Sequence, residues 1–160
     1  MAAAAPKDLK IGDKAPTFTA ASDGGGKVSL SQLKGKTVVL YFYPKDDTSG
    51  CTAEAIAFSK HAKAFKAAGA VVVGISKDSA ASHDKFKAKH KLGVTLGADE
   101  DTGIAQAYGV WVEKSMYGRR YMGMERATFL IDGKGVIRQI WRKVKVNGHA
   151  DEVLAAAEAI

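Results

Sequence analysis

Two runs in the chain are apolar on both alternating faces, Thr37-Val-Val-Leu-Tyr-Phe-Tyr43 and Ala70-Val-Val-Val-Gly-Ile-Ser76. A strand with one wet face alternates apolar with polar residues, so these two predict central strands covered on both sides, as in a parallel α/β sheet. Between them the period changes. Ala55, Phe58, Ala62 and Phe65 recur at i, i+3, i+7 and i+10, which predicts a helix over Thr52 to Ala68 with Gly69 as its stop. A strand–helix–strand unit of this length calls for a right-handed crossover.

The flanking segments fill out the sheet. Ile11 to Pro16 is a turn-forming lead-in, and Thr17 to Ala20 and Lys27 to Leu30 read as a hairpin around Asp23-Gly-Gly-Gly26. The triple glycine lacks the lysine and helix of a phosphate-binding loop, so it is read as a turn. Ser31 to Gly35 is one helical turn. Ser79 caps a helix running to about Lys91, Val94 to Leu96 is a short strand, and Thr102 to Tyr108 is a short helix ended by Gly109. Val110 to Met124 carries no clear period. Arg126 to Asp132 and Val136 to Arg142 flank Gly133-Lys-Gly135, a strong hairpin signal. Asn147 is the expected cap of a last helix from His149 to Ile160, with Val153, Leu154 and Ala157 inward. This order predicts an α/β chain with a thioredoxin-like fold, a mixed central sheet flanked by helices, and an N-terminal β-hairpin extension.

At 160 residues the chain suits one domain, expected over 11–160 behind a loose tail at 1–10. No apolar run approaches the roughly 20 residues that span a bilayer, and Met1 to Pro6 is too short for a secretory leader, so a cytoplasmic protein is expected. The net charge is +7. The lysines at 60–66 and 85–91 sit at helical spacing opposite apolar residues, as solvated faces do, and no aromatic residues interleave with them as in an RNA-binding motif. Specific nucleic-acid binding is therefore not expected. His61, His83, His90 and His149 show no ligand spacing and read as surface residues. Trp111, Met116, Tyr117, Tyr121, Met122 and Met124 form a loose apolar group, read first as core packing and second as the lining of a site mouth or a subunit contact.

One cysteine excludes an internal disulfide, a Cys-rich zinc site and a Cys-x-x-Cys redox motif. That cysteine, Cys51, falls in the first turn of the predicted helix, behind the Val38–Tyr43 run and a polar loop. An ordinary cysteine titrates near 8.5 and is only about 3% thiolate at pH 7. Making such a thiol mostly ionised takes roughly 3–4 kcal/mol in favour of the charged form. A helix N-terminus supplies typically under about 1–2 kcal/mol, so a buried cation is required. Arg126 is the candidate, because its strand is expected beside Thr37–Tyr43, at the same edge as the loop. Each residue also has a plainer reading. A lone cysteine is commonly a small buried hydrophobe, Thr48 a helix cap, Pro44 a loop proline and Arg126 a surface charge.

Pro44-x-x-x-Thr48-x-x-Cys51 resembles the active-site motif of peroxiredoxins. The wider run Phe42-Tyr-Pro-Lys-Asp-Asp-Thr-x-Gly-Cys-Thr-x-Glu54 is similar to the peroxiredoxin Q (bacterioferritin comigratory protein) subfamily. The likeness continues through Gly12-Asp-x-Ala-Pro16, Gly74-Ile-Ser76 and Glu125-Arg-x-x-Phe-Leu-Ile-Asp132. It implies a thiol-dependent peroxidase for hydrogen peroxide and organic hydroperoxides, with Cys51 as the peroxidatic cysteine that becomes sulfenic acid. It further implies that Thr48 orients the peroxide, Arg126 stabilises the thiolate and the leaving oxygen, Pro44 shields the sulfur, and Glu54 orients the arginine. It calls for no metal or organic cofactor.

The chain departs from that pattern in one consequential way. Ile56 stands where many members carry a resolving cysteine, Ser79 to Lys91 holds none, and Ser49 replaces a common proline. The expected reductant is therefore an external thiol, glutathione, glutaredoxin or thioredoxin, or a second Cys51 across a dimer. A monomer or weak homodimer is expected. The competing expectation is a redox-sensing module that passes its oxidation to a partner protein with little turnover.

Overall fold

The structure, a computed structural model, describes residues 8–160; the first seven residues of the expected tail lie outside it. Its frame is a seven-stranded mixed sheet in the order β2-β1-β5-β4-β3-β8-β9. The two fully apolar runs form its centre, β3 (Thr37–Phe42) and β4 (Ala70–Ser76), parallel and in register from Thr37↔Ala70 to Phe42↔Ile75. Strand β5 (Thr95–Ala98) continues the parallel set. Strand β1 (Thr19–Ser22) pairs antiparallel with both β5 and β2 (Lys27–Ser29), which attaches the N-terminal hairpin to one sheet edge. On the other side β8 (Ala127–Ile131) runs antiparallel to β3 and to β9 (Ile137–Trp141). The mixed thioredoxin-like sheet with its hairpin extension is thus present.

Alternation along β3 divides the core. Val38, Leu40 and Phe42 face Val73, Ile75 and the N-terminal Phe18 and Val28, together with Ala105 of α4 (Gly103–Ala107) and the following Tyr108. Val39, Tyr41 and Tyr43 face the layer made by α1 (Ser49–Lys60), α2 (Ala62–Ala67), α3 (Ala80–His90) and α5 (His149–Glu158). Gly74 serves this second face, since a Cβ there would lie 2.6 Å from Tyr41 Cζ. Any larger residue at position 74 would displace the tyrosine ring, which stacks on Phe58 at 4.7 Å between centroids.

The structure corrects the sequence reading at several points. The helix expected over Thr52 to Ala68 is broken at His61, where the backbone leaves helical values (φ −96°, ψ 10°); Phe58 and Phe65 remain 6.0 Å apart across the break. Asn147 does not cap α5. Gly148 takes that place with φ 77°, a left-handed value that glycine adopts without a Cβ clash. Val110 to Met124 is a second hairpin, β6 (Trp111–Met116) and β7 (Arg119–Met124), standing apart as a two-stranded sheet. Its two-residue turn holds Tyr117 and Gly118, both at positive φ (52° and 77°), as a type I′ hairpin requires. Of the loose apolar group only Met124 is fully buried. Tyr117 is 98% exposed, and Met116, Tyr121 and Met122 are also exposed, so core packing does not describe them.

Two histidines read as surface residues are interior. His83 is fully buried, and His149 is 5% exposed with Nε2 2.8 Å from the Thr128 hydroxyl. Burial lowers the His149 pKa to about 4. Because the unfolded ring titrates near 6.5, the unfolded chain takes up this proton first as pH falls. His149 therefore contributes stability above pH 6.5 that is lost between about 6.5 and 4. The stability advantage of the native chain over His149→Gln, measured by urea unfolding, is expected to shrink by up to about 3 kcal/mol from pH 7 to pH 4. A pH-independent difference would rule out a neutral buried ring.

Candidate active site

Cys51 lies where the strand pattern gives way to the helix pattern. Strand β3 ends at Phe42, the segment Tyr43 to Thr48 turns over the sheet end, and α1 begins at Ser49, so Cys51 is the third residue of the helix. The first α1 backbone bond recorded from its cap runs from Thr52 N–H to the Thr48 carbonyl at 2.8 Å. The N–H groups of the residues before it are those a helix leaves without intrahelical partners, and they point toward the sulfur's end of the helix. The thiol is 1% exposed and packs in the same cluster as Tyr41, Tyr43, Ala55 and Phe58.

Arg126 reaches this sulfur from 75 positions away in the chain. Ala127 of β8 pairs with Phe42 of β3, so the residue before it stands just beyond the C-terminal end of β3. Its backbone is tied down, with the Arg126 carbonyl accepting from Val144 N–H at 3.0 Å and the neighbouring Glu125 N–H donating to Val110 at 2.7 Å. The guanidinium then spans two partners. Nη2 donates to Cys51 Sγ at 3.3 Å and Nη1 donates to Glu54 Oε1 at 2.6 Å. Gly50 leaves room for this fork, because a Cβ there would lie 3.2 Å from Nη2.

Glu54 is one helical turn beyond Cys51, on the same face, and its side chain is 2% exposed. Burial lifts its carboxyl to about 7, against the charge and hydrogen bond of Arg126, which pull it down. Burial lowers the Arg126 pKa, but the charges of Glu54 and Cys51 outweigh it and leave the guanidinium firmly protonated. Glu54 Oε2 and the Tyr41 hydroxyl are buried with no hydrogen-bond partner among the described residues.

The remaining residues singled out from sequence occupy the connecting loop. Thr48 is exposed and has the extended backbone of a helix cap (φ −95°, ψ 156°), but its side chain does not cap the helix. Its hydroxyl donates to the Lys45 carbonyl at 2.9 Å, which leaves the oxygen's lone pairs to accept another donor. Pro44 is half-buried and starts the loop immediately after Tyr43. Ile56 is 39% exposed on α1.

Two features near the site were not read from sequence. Lys114 of β6 is half-buried and has no side-chain hydrogen bond or ion pair among the described residues. Burial and the Arg126 charge lower its pKa, while the charges of Cys51 and Glu125 act the other way, so its ammonium belongs to the same electrostatic neighbourhood. The other is the link between Asp46 in the loop and His83 on α3, with Nδ1 to Oδ2 at 2.7 Å. Lys114 went unseen because the β6–β7 hairpin did. His83 went unseen because its partner is 37 residues away.

A family model, the AhpC/TSA family, matches residues 11–140. A putative peroxiredoxin bcp of Coxiella burnetii is 52% identical over 146 residues, covering 91% of this chain and 97% of that protein. Peroxiredoxin Bcp of Bacillus subtilis is 48% identical over 146 residues, covering 91% of this chain and 93% of that one. A bacterioferritin comigratory protein of Xanthomonas campestris, whose structure was solved to study its alkyl peroxide reduction activity, superimposes with a TM-score of 0.85. It is 44% identical, and the match covers 89% of this chain and 90% of that one. Coverage and identity at this level reach well beyond the cysteine motif, and the chain belongs to the AhpC/TSA family as a peroxiredoxin of the Bcp, or peroxiredoxin Q, type, a thiol-dependent peroxidase.

Proposed function

We propose that Cys51 is the peroxidatic nucleophile of this peroxidase and that Arg126, Glu54, Thr48 and Pro44 form its active site. The observation that carries this reading is the shared guanidinium, 3.3 Å from the sulfur and 2.6 Å from the carboxylate. In the first step the Cys51 thiolate attacks one peroxide oxygen. The S–O bond forms as the O–O bond breaks, and the departing oxygen takes a proton to leave as water or an alcohol. Arg126 stabilises the thiolate before attack and the negative charge moving to the leaving oxygen during it. Thr48 orients the peroxide through its hydroxyl, which already spends its own proton on Lys45. Pro44 shields the sulfenate, and Glu54 fixes the guanidinium in the plane that serves the sulfur.

With no second cysteine in the chain, the sulfenic acid condenses with an external thiol, releasing water, and a further thiol frees Cys51 from the mixed disulfide. Glutathione, a glutaredoxin or a thioredoxin would serve, acting on a monomer or weak homodimer in the cytoplasm. No helix among the described residues is long and apolar enough to cross a membrane.

Cys51→Ser is expected to reduce peroxide consumption with excess dithiothreitol to the uncatalysed rate; a variant that still turns over would remove Cys51 from the mechanism. Arg126→Ala should slow iodoacetamide alkylation of Cys51 at pH 7 by about tenfold or more, in line with the roughly 1.5–3 kcal/mol of a hydrogen bond to a charged group. Equal alkylation rates in the two proteins would show that the arginine does not sustain the thiolate.

A further inference from the structure

The loop between β3 and α1 carries two carboxylates that the peroxidase chemistry leaves unused, and both bind α3. Asp46 is 7% exposed. Its Oδ1 accepts from the Tyr43 hydroxyl at 2.6 Å. Its Oδ2 meets the Ser82 hydroxyl at 2.8 Å and His83 Nδ1 at 2.7 Å. The Asp46 N–H donates to Asp78 at 2.8 Å, and Asp78 also accepts from the Ser76 hydroxyl at the end of β4. Asp47 next door is exposed and receives Lys89 Nζ at 2.7 Å and His90 Nε2 at 2.8 Å. Two consecutive loop residues are thus tied to one helix through their carboxylates.

His83 is the buried end of this staple. The ring is 0% exposed, and its second nitrogen, Nε2, is 3.0 Å from the Gly97 carbonyl of β5. A carbonyl oxygen can only accept. The Asp46 carboxylate, already receiving two hydroxyl donors, also accepts. Each ring nitrogen therefore carries a proton, and the side chain is an imidazolium. Burial favours the neutral ring, but the hydrogen bond and charge of Asp46 outweigh it and raise the His83 pKa. Burial likewise raises Asp46, and the His83 and Tyr43 hydrogen bonds outweigh that and lower it. The titratable groups around the ring are Tyr43 and Asp46 from the loop and Asp78 from the turn before α3. One turn further along α3, Lys87 is already paired with Asp23 at 2.7 Å.

Only Asp47 separates Asp46 from Thr48, and α1 starts directly after Thr48. The position of Asp46 therefore sets both the direction of the Thr48 hydroxyl and the start of the helix that carries Cys51. We propose that His83, held as an imidazolium between Asp46 and Gly97, is a positioning residue for the peroxidase reaction, fixing the peroxide-orienting loop on α3. The inference rests on the reading of Cys51 and Thr48 given above. It concerns how peroxide is aligned, while the reactivity of the sulfur itself remains with Arg126.

The test separates those two properties in His83→Gln and Asp46→Asn. Single-turnover oxidation of Cys51 by hydrogen peroxide, followed by intrinsic fluorescence, is expected to fall by about tenfold or more, while alkylation by iodoacetamide stays within about twofold, since a displacement of the order of 1 Å can cost up to about a hundredfold in an aligned reaction. The double variant should lose no more than the worse single one. Unchanged oxidation, or oxidation and alkylation falling in parallel, would overturn the proposal. On the unaltered protein, ¹⁵N NMR of His83 at pH 7 is expected to show both ring nitrogens protonated; a neutral ring would overturn it independently of how the variants fold. Retained turnover in Cys51→Ser would instead refute the underlying peroxidase reading.

Discussion

One guanidinium holds the site together. Arg126 is the only cation within hydrogen-bond reach of both Cys51 and Glu54 among the described residues, and those two can carry two negative charges against its one. Both side chains are almost wholly buried, and removing a charge from water costs several kcal/mol unless it is paired. The arrangement persists because the excess can be relieved in two ways. Glu54, lifted to about 7 by burial, can take a proton near neutrality. Lys114, which has no partner of its own among the described residues, adds a second positive charge nearby. The site thus has a charge balance that tolerates a thiolate.

The sheet makes this convergence possible. Cys51 leaves the C-terminal end of β3 on a short loop, and Arg126 arrives at the same end because β8 runs antiparallel to β3. Had β8 been parallel, its N-terminal residue would stand at the opposite end of the sheet. The fully apolar sequence of β3 secures the register, since a slip by one residue would exchange the faces of Val39, Tyr41 and Tyr43 with those of Val38, Leu40 and Phe42. Two differently shaped layers pack on those faces, so the exchange has no good solution. The distance between Arg126 and Cys51 is here a consequence of core packing.

This explains what the sequence disclosed. Period and spacing placed β3, β4, the first turn with Cys51 and the β8–β9 hairpin, because each is dictated by local chemistry. The meeting of Arg126 with the loop followed from strand order. The helix break at His61, the Gly148 cap and the β6–β7 hairpin did not follow. Tyr117 is a poor indicator of a type I′ turn, and strands with exposed Met116, Tyr121 and Met122 show no buried face to read. The inward histidines were least visible of all. His83 has a polar side chain on a helix, and its buried position is compensated by Asp46, Gly97 and the Tyr43 hydroxyl, which the fold brings from elsewhere.

The staple and the missing second thiol bear on one another. A disulfide requires its two Cα atoms within about 4.4–6.8 Å, so a resolving cysteine on another element would oblige the start of α1 or its neighbours to move each time the sulfur was oxidised. This chain has no second cysteine, and on the proposed mechanism the burden shifts to a thiol that must reach a sulfur 1% exposed at the start of a helix. Tyr41, Ala55 and Phe58 share its buried cluster. In the cycle proposed above, a loop pinned at Asp46 and Asp47 keeps the start of α1 in place from step to step. Binding α3 to the loop therefore suits the proposed cycle, in which an external thiol repairs the sulfur and nothing requires that helix to let go.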